Sequence, residues 1–268
     1  MTDRPILAHR MTGSKAGLES GPPVLLLNGG LMSIAAWEPI AQRLEPEYRV
    51  VRCDFRGQTL TPGEEPRLDG HVADVIDLLD SLGLERVHVA GTSFGGIVGL
   101  LLAARHPDRF LSLAAITTTE RITTEMWEGT LRLREAALAG ASGGDGGAVL
   151  DLLLPGTYTA EYLEAQGKAL KLYRIWVASL PAAWFRGTVA ILSSLEALDL
   201  TPDLPRIACP TLVLAGEADV TFPLDHSRAL TAAIPNARLE IVPGAPHGLV
   251  IEQAGRAAEI LLSFLQSI

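Results

Sequence analysis

The sequence predicts an α/β fold: a mostly parallel central sheet with helices on both faces, interrupted once by a helical insertion. Three observations predict it. Most of the apolar runs lack the alternation of a strand with one wet face, which points to strands covered on both sides. Helical patterns separate most of them, as crossovers between parallel strands require. From about residue 120 to 198 the strand signal stops altogether.

The elements follow in order. Residues 5–20 are weakly patterned and predict antiparallel edge strands. "PVLLLNG" (23–29) is the first buried strand, followed by a helix over "AAWEPIAQRL". "YRVVRCD" (48–54) and the helix "GHVADVIDLLDSLG" form the next unit, and "RVHVAGT" (86–92) runs into "GGIVGLLLAARH". A strand over "FLSLAAITT" (110–118) opens the interval that has only helical patterns, at 123–139, 145–154, 159–180 and 182–198. "GASGGDGG" (140–147) is a flexible joint between two of them. The proline-rich "DLTPDLPRIACP" leads back to a strand over "PTLVLAGE" (210–217). The helix "DHSRALTAAIP", the strand "ARLEIVPG" (237–244) and the helix "GRAAEILLSFLQ" complete the chain. The expected organisation is therefore a core of residues 1–119 and 199–268, with 120–198 inserted as a helical cap over one edge of the sheet. Trp127, Trp176, Trp184, Tyr158, Tyr162 and Tyr173 concentrate there, as insertion core or pocket lining. The three tryptophans are the candidate substrate contacts.

Bulk properties narrow the partners. At 268 residues with nearly half apolar, the chain affords a sizeable core. A net charge of −9 argues against nucleic acid or an anionic membrane. The opening "MTDRPILAHR" has no apolar run of signal-peptide length, so a cytoplasmic protein is expected. Two cysteines, Cys53 and Cys209, sit beside strands as small apolar residues; no cofactor and no metal site is expected. A homodimer is left open.

The chemistry concentrates at one turn. In "VHVAGTSFGGIVG" a strand passes directly into a helix, and Ser93 stands at the corner between Gly91 and Gly95. An alkyl hydroxyl needs a base to become a nucleophile, and histidine is the natural one near neutral pH. Of six histidines, His9, His71, His88, His106 and His226 read as surface or structural. His247, in "PGAPHGL", lies in a loop past the last strand, at the carboxyl edge of the sheet that Ser93 shares. The third role is an acid that orients the imidazole. "LVLAGEADVTFP" offers Glu217, Asp219 and Asp225 at the same edge. Asp219 lies deepest in the loop, Asp225 reads as a helix N-cap, and Glu120 is a rival after the preceding strand.

These residues resemble the α/β-hydrolase superfamily, in its esterase, lactonase and haloperoxidase-like branch, over nearly the whole chain. "GTSFGG" resembles the nucleophile elbow, "GEADVTFP" the acid loop and "GAPHGLVIEQ" the histidine loop. The resemblance implies a catalytic Ser93, Asp219 and His247. "NGGLMS" resembles the His-Gly-x oxyanion loop, implying backbone donors at Gly30 and Phe94, with Asn28 where the family has histidine. "DFRGQTLTPG" resembles the Asp-x-Arg-Gly-x-Gly-x-Ser loop, with Thr59 and Thr61 replacing Gly and Ser, and Asp54 and Arg56 mainly structural. The implied function is cleavage of a small-molecule carboxylic ester or lactone through an acyl-enzyme. The alternatives are a C–C bond hydrolase, a cofactor-free perhydrolase or haloperoxidase, and a ligand receptor with slow turnover. Basic residues of the insertion, Arg132, Arg134 and Arg174 among them, are candidates to hold a substrate carboxylate.

Overall fold

The computed structural model describes residues 6–13 and 21–268. Strand β1 (His9–Thr12) is followed by β2 (Gly21–Leu27), α1 (Glu38–Leu44), β3 (Tyr48–Cys53) and α2 (Leu68–Ser81). Then come β4 (Val87–Thr92), α3 (Phe94–Arg105) and β5 (Phe110–Ile116). Five helices precede the next strand: α4 (Thr124–Ala141), α5 (Ala148–Thr157), α6 (Ala160–Ala165), α7 (Gly167–Ala178) and α8 (Ala182–Ser193). The chain ends with β6 (Thr211–Gly216), α9 (Leu224–Ala233), β7 (Ala237–Val242), α10 (Leu249–Glu252) and α11 (Ala254–Gln266).

The strands form one sheet in the order β1-β3-β2-β4-β5-β6-β7. All neighbours are parallel except β1, which pairs antiparallel with β3 through His9 opposite Cys53 and Thr12 opposite Val50. Successive strand side chains point to opposite faces, so an unbroken apolar run serves two cores at once. Leu25 and Leu27 of β2 join Val51, Val89 and α3 on one face. Val24 and Leu26 join Val50, Leu212, α1 and α11 on the other. The same arrangement leaves α3 apolar all round, because it is buried beneath its own face of the sheet.

Boundaries differ from the sequence reading where the backbone turns. β5 stops at Ile116 because Thr117 adopts a φ of 40° and takes the chain off the sheet. The helix expected over 159–180 is two, broken at Gln166, and the one expected over 182–198 ends at Ser193, short of the positive φ of Ala197. α5 runs on to Thr157 with Pro155 inside it. Of the edge strands expected within 5–20, β1 is present; residues 14–20 lie outside the described residues.

Helices α4 to α8 leave and rejoin the sheet through a narrow neck. Leu200 N–H donates to Glu120 O at 2.7 Å and Ile122 N–H to Leu198 O at 3.0 Å. They share a small core of their own around Ala137, Val149 and Phe185. Among the described residues no single helix is long and apolar enough to cross a membrane; α7 and α8 pass that measure only jointly and are bent by 101°.

Candidate active site

The corner after β4 is built from backbone constraints. Ser93 has φ 52° and ψ −118°, a region that L-residues rarely adopt and that costs on the order of 1–3 kcal/mol. It turns the side chain out of the elbow while α3 begins at the next residue. The corner is tight enough to need its glycines. A Cβ on Gly91 would lie 2.2 Å from Gly95 O, and one on Gly95 would lie 2.4 Å from Leu27 O.

Three loops bring their side chains together at this edge. Ser93 Oγ lies 3.0 Å from His247 Nε2, and His247 Nδ1 lies 2.9 Å from Asp219 Oδ2. The carboxylate is almost fully buried, and its other oxygen accepts the Thr221 and Phe222 N–H groups at 2.9 and 2.8 Å. Those two donors fix the carboxylate, so Oδ2 must face the ring. A carboxylate can only accept, which assigns the proton to Nδ1 and leaves the Nε2 lone pair facing the Ser93 hydroxyl. The arrangement can move a proton from Ser93 to His247 while Asp219 balances the imidazolium. Glu217 instead accepts from Gly244 N–H at 2.9 Å and braces the histidine loop. Asp225 is not the N-cap expected of it: α9 starts one residue earlier, at Leu224, and Asp225 pairs with Arg228 at 3.0 Å on the surface. Glu120 is engaged elsewhere, with His226 Nδ1 3.0 Å from Oε2.

Opposite the histidine, the loop after β2 carries Gly29 and Gly30. Gly30, Phe94 and Ser93 all line one cavity, and a Cβ on Gly30 would touch that of Phe94 at 3.8 Å. The loop is fastened by a residue that sequence reasoning passed over. Gln58 Nε2 donates to Gly29 O at 2.7 Å and to Gly30 O at 3.1 Å. Its Oε1 accepts from Phe55 N–H at 2.8 Å and from Asn28 Nδ2 at 2.9 Å. A trans peptide is planar and its C=O and N–H point opposite ways. With Gly29 O held by Gln58, the Gly30 N–H of the same peptide points away from Gln58. Asn28 therefore serves as a brace, giving its second Nδ2 hydrogen to Asp54 Oδ1 at 3.0 Å. Asp54 also accepts from Ile34 and Leu60 N–H at 2.8 Å each, and Arg56 is ion-paired with Asp74.

The cavity has a volume of about 960 Å³. Its walls are mainly apolar, with Leu31, Met126, Leu133, Leu153 and Ile191 lining it together with Ser93 and His247. None of the three tryptophans lines it. Trp127 packs against the main core under Arg134, Trp184 packs on Phe185, and Trp176 is half exposed and stacked on Tyr173. Of the three tryptophans only Trp184 fills the insertion's own packing, and the cavity takes Tyr158 and Tyr173 instead. Burial raises the pKa of both phenols, so they stay neutral. Arg132 reaches the cavity, whereas Arg174 is committed to Asp145 and Asp151. Among the described residues no group of three or more His, Cys, Asp or Glu is placed to hold a metal ion.

A seven-stranded, mostly parallel sheet with a serine at the β4–α3 elbow and histidine and acid loops on the same edge defines an α/β-hydrolase fold. The family described as alpha/beta hydrolase fold matches residues 22–254, and the chain belongs to it. A relative from Caulobacter sp. strain K31 named as a carbamate hydrolase, RutD, is 31% identical over 97% of this chain and 95% of its own. The 3-oxoadipate enol-lactonase 1 of Acinetobacter baylyi is 28% identical, over 94% of this chain and 91% of its own. Among solved structures, the enol-lactonase from Burkholderia xenovorans superposes with a TM-score of 0.85 at 30% identity, covering 97% of this chain and 96% of that one.

Proposed function

We propose that the protein is a serine hydrolase that cleaves a carboxylic ester or lactone through an acyl-enzyme. Ser93 attacks the carbonyl carbon while His247 Nε2 takes its proton. The negative charge that develops on the carbonyl oxygen is met by the backbone N–H groups of Gly30 and Phe94, donors that need no reorganisation as the charge forms. His247 returns the proton to the departing alcohol. A water then attacks the acyl-enzyme by the same route and frees Ser93. The helices between β5 and β6 act as a cap whose apolar wall selects an uncharged, mainly hydrocarbon acyl or alcohol group.

The observation that carries this reading is the continuous chain Ser93–His247–Asp219 at 3.0 and 2.9 Å, opening on a cavity. A carbamate is a second reading, favoured by the name of the Caulobacter relative. Its carbonyl would be attacked identically, with an amine-bearing leaving or acyl group.

The test is covalent labelling combined with turnover. An organophosphonate should modify Ser93 in the wild type and leave Ser93→Ala unmodified. A panel of p-nitrophenyl esters, lactones and carbamates should give steady-state turnover, with kcat of roughly 1–10³ s⁻¹ on a good substrate. One stoichiometric turnover followed by a long-lived adduct across the whole panel would sink the hydrolase reading in favour of a receptor.

A further inference from the structure

A second histidine–carboxylate pair opens on the same cavity. His226, on the first turn of α9, lines the cavity, and its ring is held from behind by the loop after β5. Nδ1 lies 3.0 Å from Glu120 Oε2, 3.2 Å from Oε1 and 3.0 Å from Thr119 Oγ1. The Thr119 hydroxyl is within 2.7 Å of Arg121 O and gives it its hydrogen. All three atoms facing Nδ1 are then acceptors, so Nδ1 carries the proton and the neutral ring leaves its lone pair on Nε2. Glu120 is itself only 6% exposed, with Arg121 Nε 3.4 Å from Oε1 on its outer side. His226 Nε2 meets no hydrogen-bond partner among the described residues, yet it is not sealed from solvent as a buried orphan. In a mainly apolar wall that also carries Glu125, Arg132 and Tyr158, this is an acceptor whose tautomer is set from behind.

We propose that His226, oriented by Glu120 and Thr119, is a polar subsite that accepts a hydrogen bond from a hydroxyl or N–H carried by the substrate, apart from its scissile carbonyl. The substrate class is thereby narrowed to acyl compounds that carry a neutral hydroxyl or amide-type N–H, carbamates included, in preference to plain hydrocarbon esters or ethers. An apolar wall rejects such groups unless a partner is waiting, because burying an unpaired donor carries a desolvation penalty. This rests on the reading of Ser93 as nucleophile only in saying which compounds are turned over; the binding preference stands without it.

The experiment separates the two. Binding is measured calorimetrically on Ser93→Ala protein, which cannot form an acyl-enzyme, with methyl esters of graded chain length. Their far carbon carries a hydroxyl, a methoxy or a methyl group. At the matching length the hydroxyl compound should bind about 3–10-fold tighter than the methoxy compound, the range for one neutral hydrogen bond. Ser93→Ala/His226→Phe should bring that ratio to about one. Ser93→Ala/Glu120→Gln should weaken or reverse it, because a glutamine amide can donate to Nδ1 and move the ring proton to Nε2. The ratio is read within each variant, so any general loss of affinity cancels. Should the phenylalanine variant not fold, Ser93→Ala/Glu120→Gln gives the reading by itself, because it leaves the imidazole in place and changes only which nitrogen carries the proton. No hydroxyl preference at any length, or one that survives unchanged without the imidazole, overturns the subsite. Absence of turnover by the wild type would instead count against Ser93 as nucleophile and leave the binding ratio to be judged by itself.

Discussion

Gln58→Leu tests whether the proposed oxyanion donor depends on a side chain remote from the reacting atoms. The amide makes four hydrogen bonds, two outward to Gly29 O and Gly30 O and two inward from Phe55 N–H and Asn28. Leucine fills a similar volume and makes none. Gly29 O keeps Met32 N–H and Asn28 Nδ2 keeps Asp54 with one hydrogen, so the uncompensated loss falls on Phe55 N–H, Gly30 O and the other Asn28 Nδ2 hydrogen. At about 1–3 kcal/mol for each buried group left unpaired, with partial relaxation, the fold should lose roughly 2–4 kcal/mol, or a melting point lower by about 5–10 °C. The kinetic effect is separate. Deleting an oxyanion donor outright costs about 10²–10³ in kcat, and misaiming one peptide should cost part of that, about 10–100-fold. An interaction made only in the transition state lowers kcat and kcat/KM together, so KM for a simple ester should stay within about twofold. Stopped-flow and steady-state hydrolysis below the lowered melting point measure this. A folded Gln58→Leu protein with wild-type kcat would refute the aiming argument, and a raised KM with unchanged kcat would reassign Gln58 to substrate binding.

Asp219→Asn should fold normally but lose kcat on the order of 10⁴-fold, because an amide facing Nδ1 puts the ring proton on Nε2 and deprives Ser93 of its base; circular dichroism and ester kinetics together check it. Ser93→Gly should melt higher than Ser93→Ala by about 1 kcal/mol of stability, since both lack the hydroxyl and only alanine keeps a Cβ at φ 52°. Equal melting points would mean that the elbow is not strained. Stability should also fall with acid. Burial lowers the pKa of His71 and of His88 from 6.5 to about 4, so the unfolded chain takes up these protons first as pH drops. The contribution is whole above pH 6.5 and is lost progressively towards pH 4, the loss being about 2 kcal/mol per histidine at pH 5. Urea titrations at pH 7.5 and 5, repeated on His88→Asn, should show that difference shrink by about half.

Much of this architecture was legible because its strands are buried on both faces. Leu25 and Leu27 serve one core while Val24 and Leu26 serve the other, and the sequence records that as an unbroken apolar run. The positions of Ser93, Asp219 and His247 were legible for a related reason, since each follows a recognisable strand at the same edge. The role of Gln58 was not. It depends on the loop after β3 folding beside the loop after β2, and a lone glutamine between turn residues carries no sign of two carbonyls waiting for it. The tryptophans misled because a large ring on a helix declares burial but not direction. Trp127 spends its ring on the main core and Trp184 on the helices' own core, and a phenol next to His247's own loop, Tyr158, takes the cavity wall. His226 reads as surface or structural from the sequence, yet a residue in the first turn of α9 stands at the strand-end edge as much as a loop residue does.

The helices between β5 and β6 are joined to the chemistry more closely than a cover resting on a cavity would need. Gly248, next to His247, donates its N–H to Thr157 O at 2.6 Å, and Thr221, two residues past Asp219, gives its hydroxyl to Gly156 O at 2.9 Å. Thr159 holds Glu252 through its N–H at 3.0 Å and its hydroxyl at 2.6 Å. On the far side Gly187 of α8 meets Gly57 backbone to backbone, one residue from Gln58, so closely that a Cβ on Gly187 would lie 2.5 Å from Gly57 Cα. The end of α5 is thus hydrogen-bonded to the loops that carry His247 and Asp219, while α8 packs on the loop that braces Gly29 and Gly30. Glycine-rich chain is left at the α4–α5 joint, where Gly143 has no atom within 4 Å of the place a Cβ would take. The rest of that joint is packed, Gly140 and Gly146 against Phe185 and Gly147 against Arg174, and movement of Thr157 or Gly187 would carry His247 or Gln58 with it. On the proposed mechanism, substrate choice and rate should therefore change together when these contacts are altered, since the residues that shape the cavity mouth also hold Ser93's proposed partners in place.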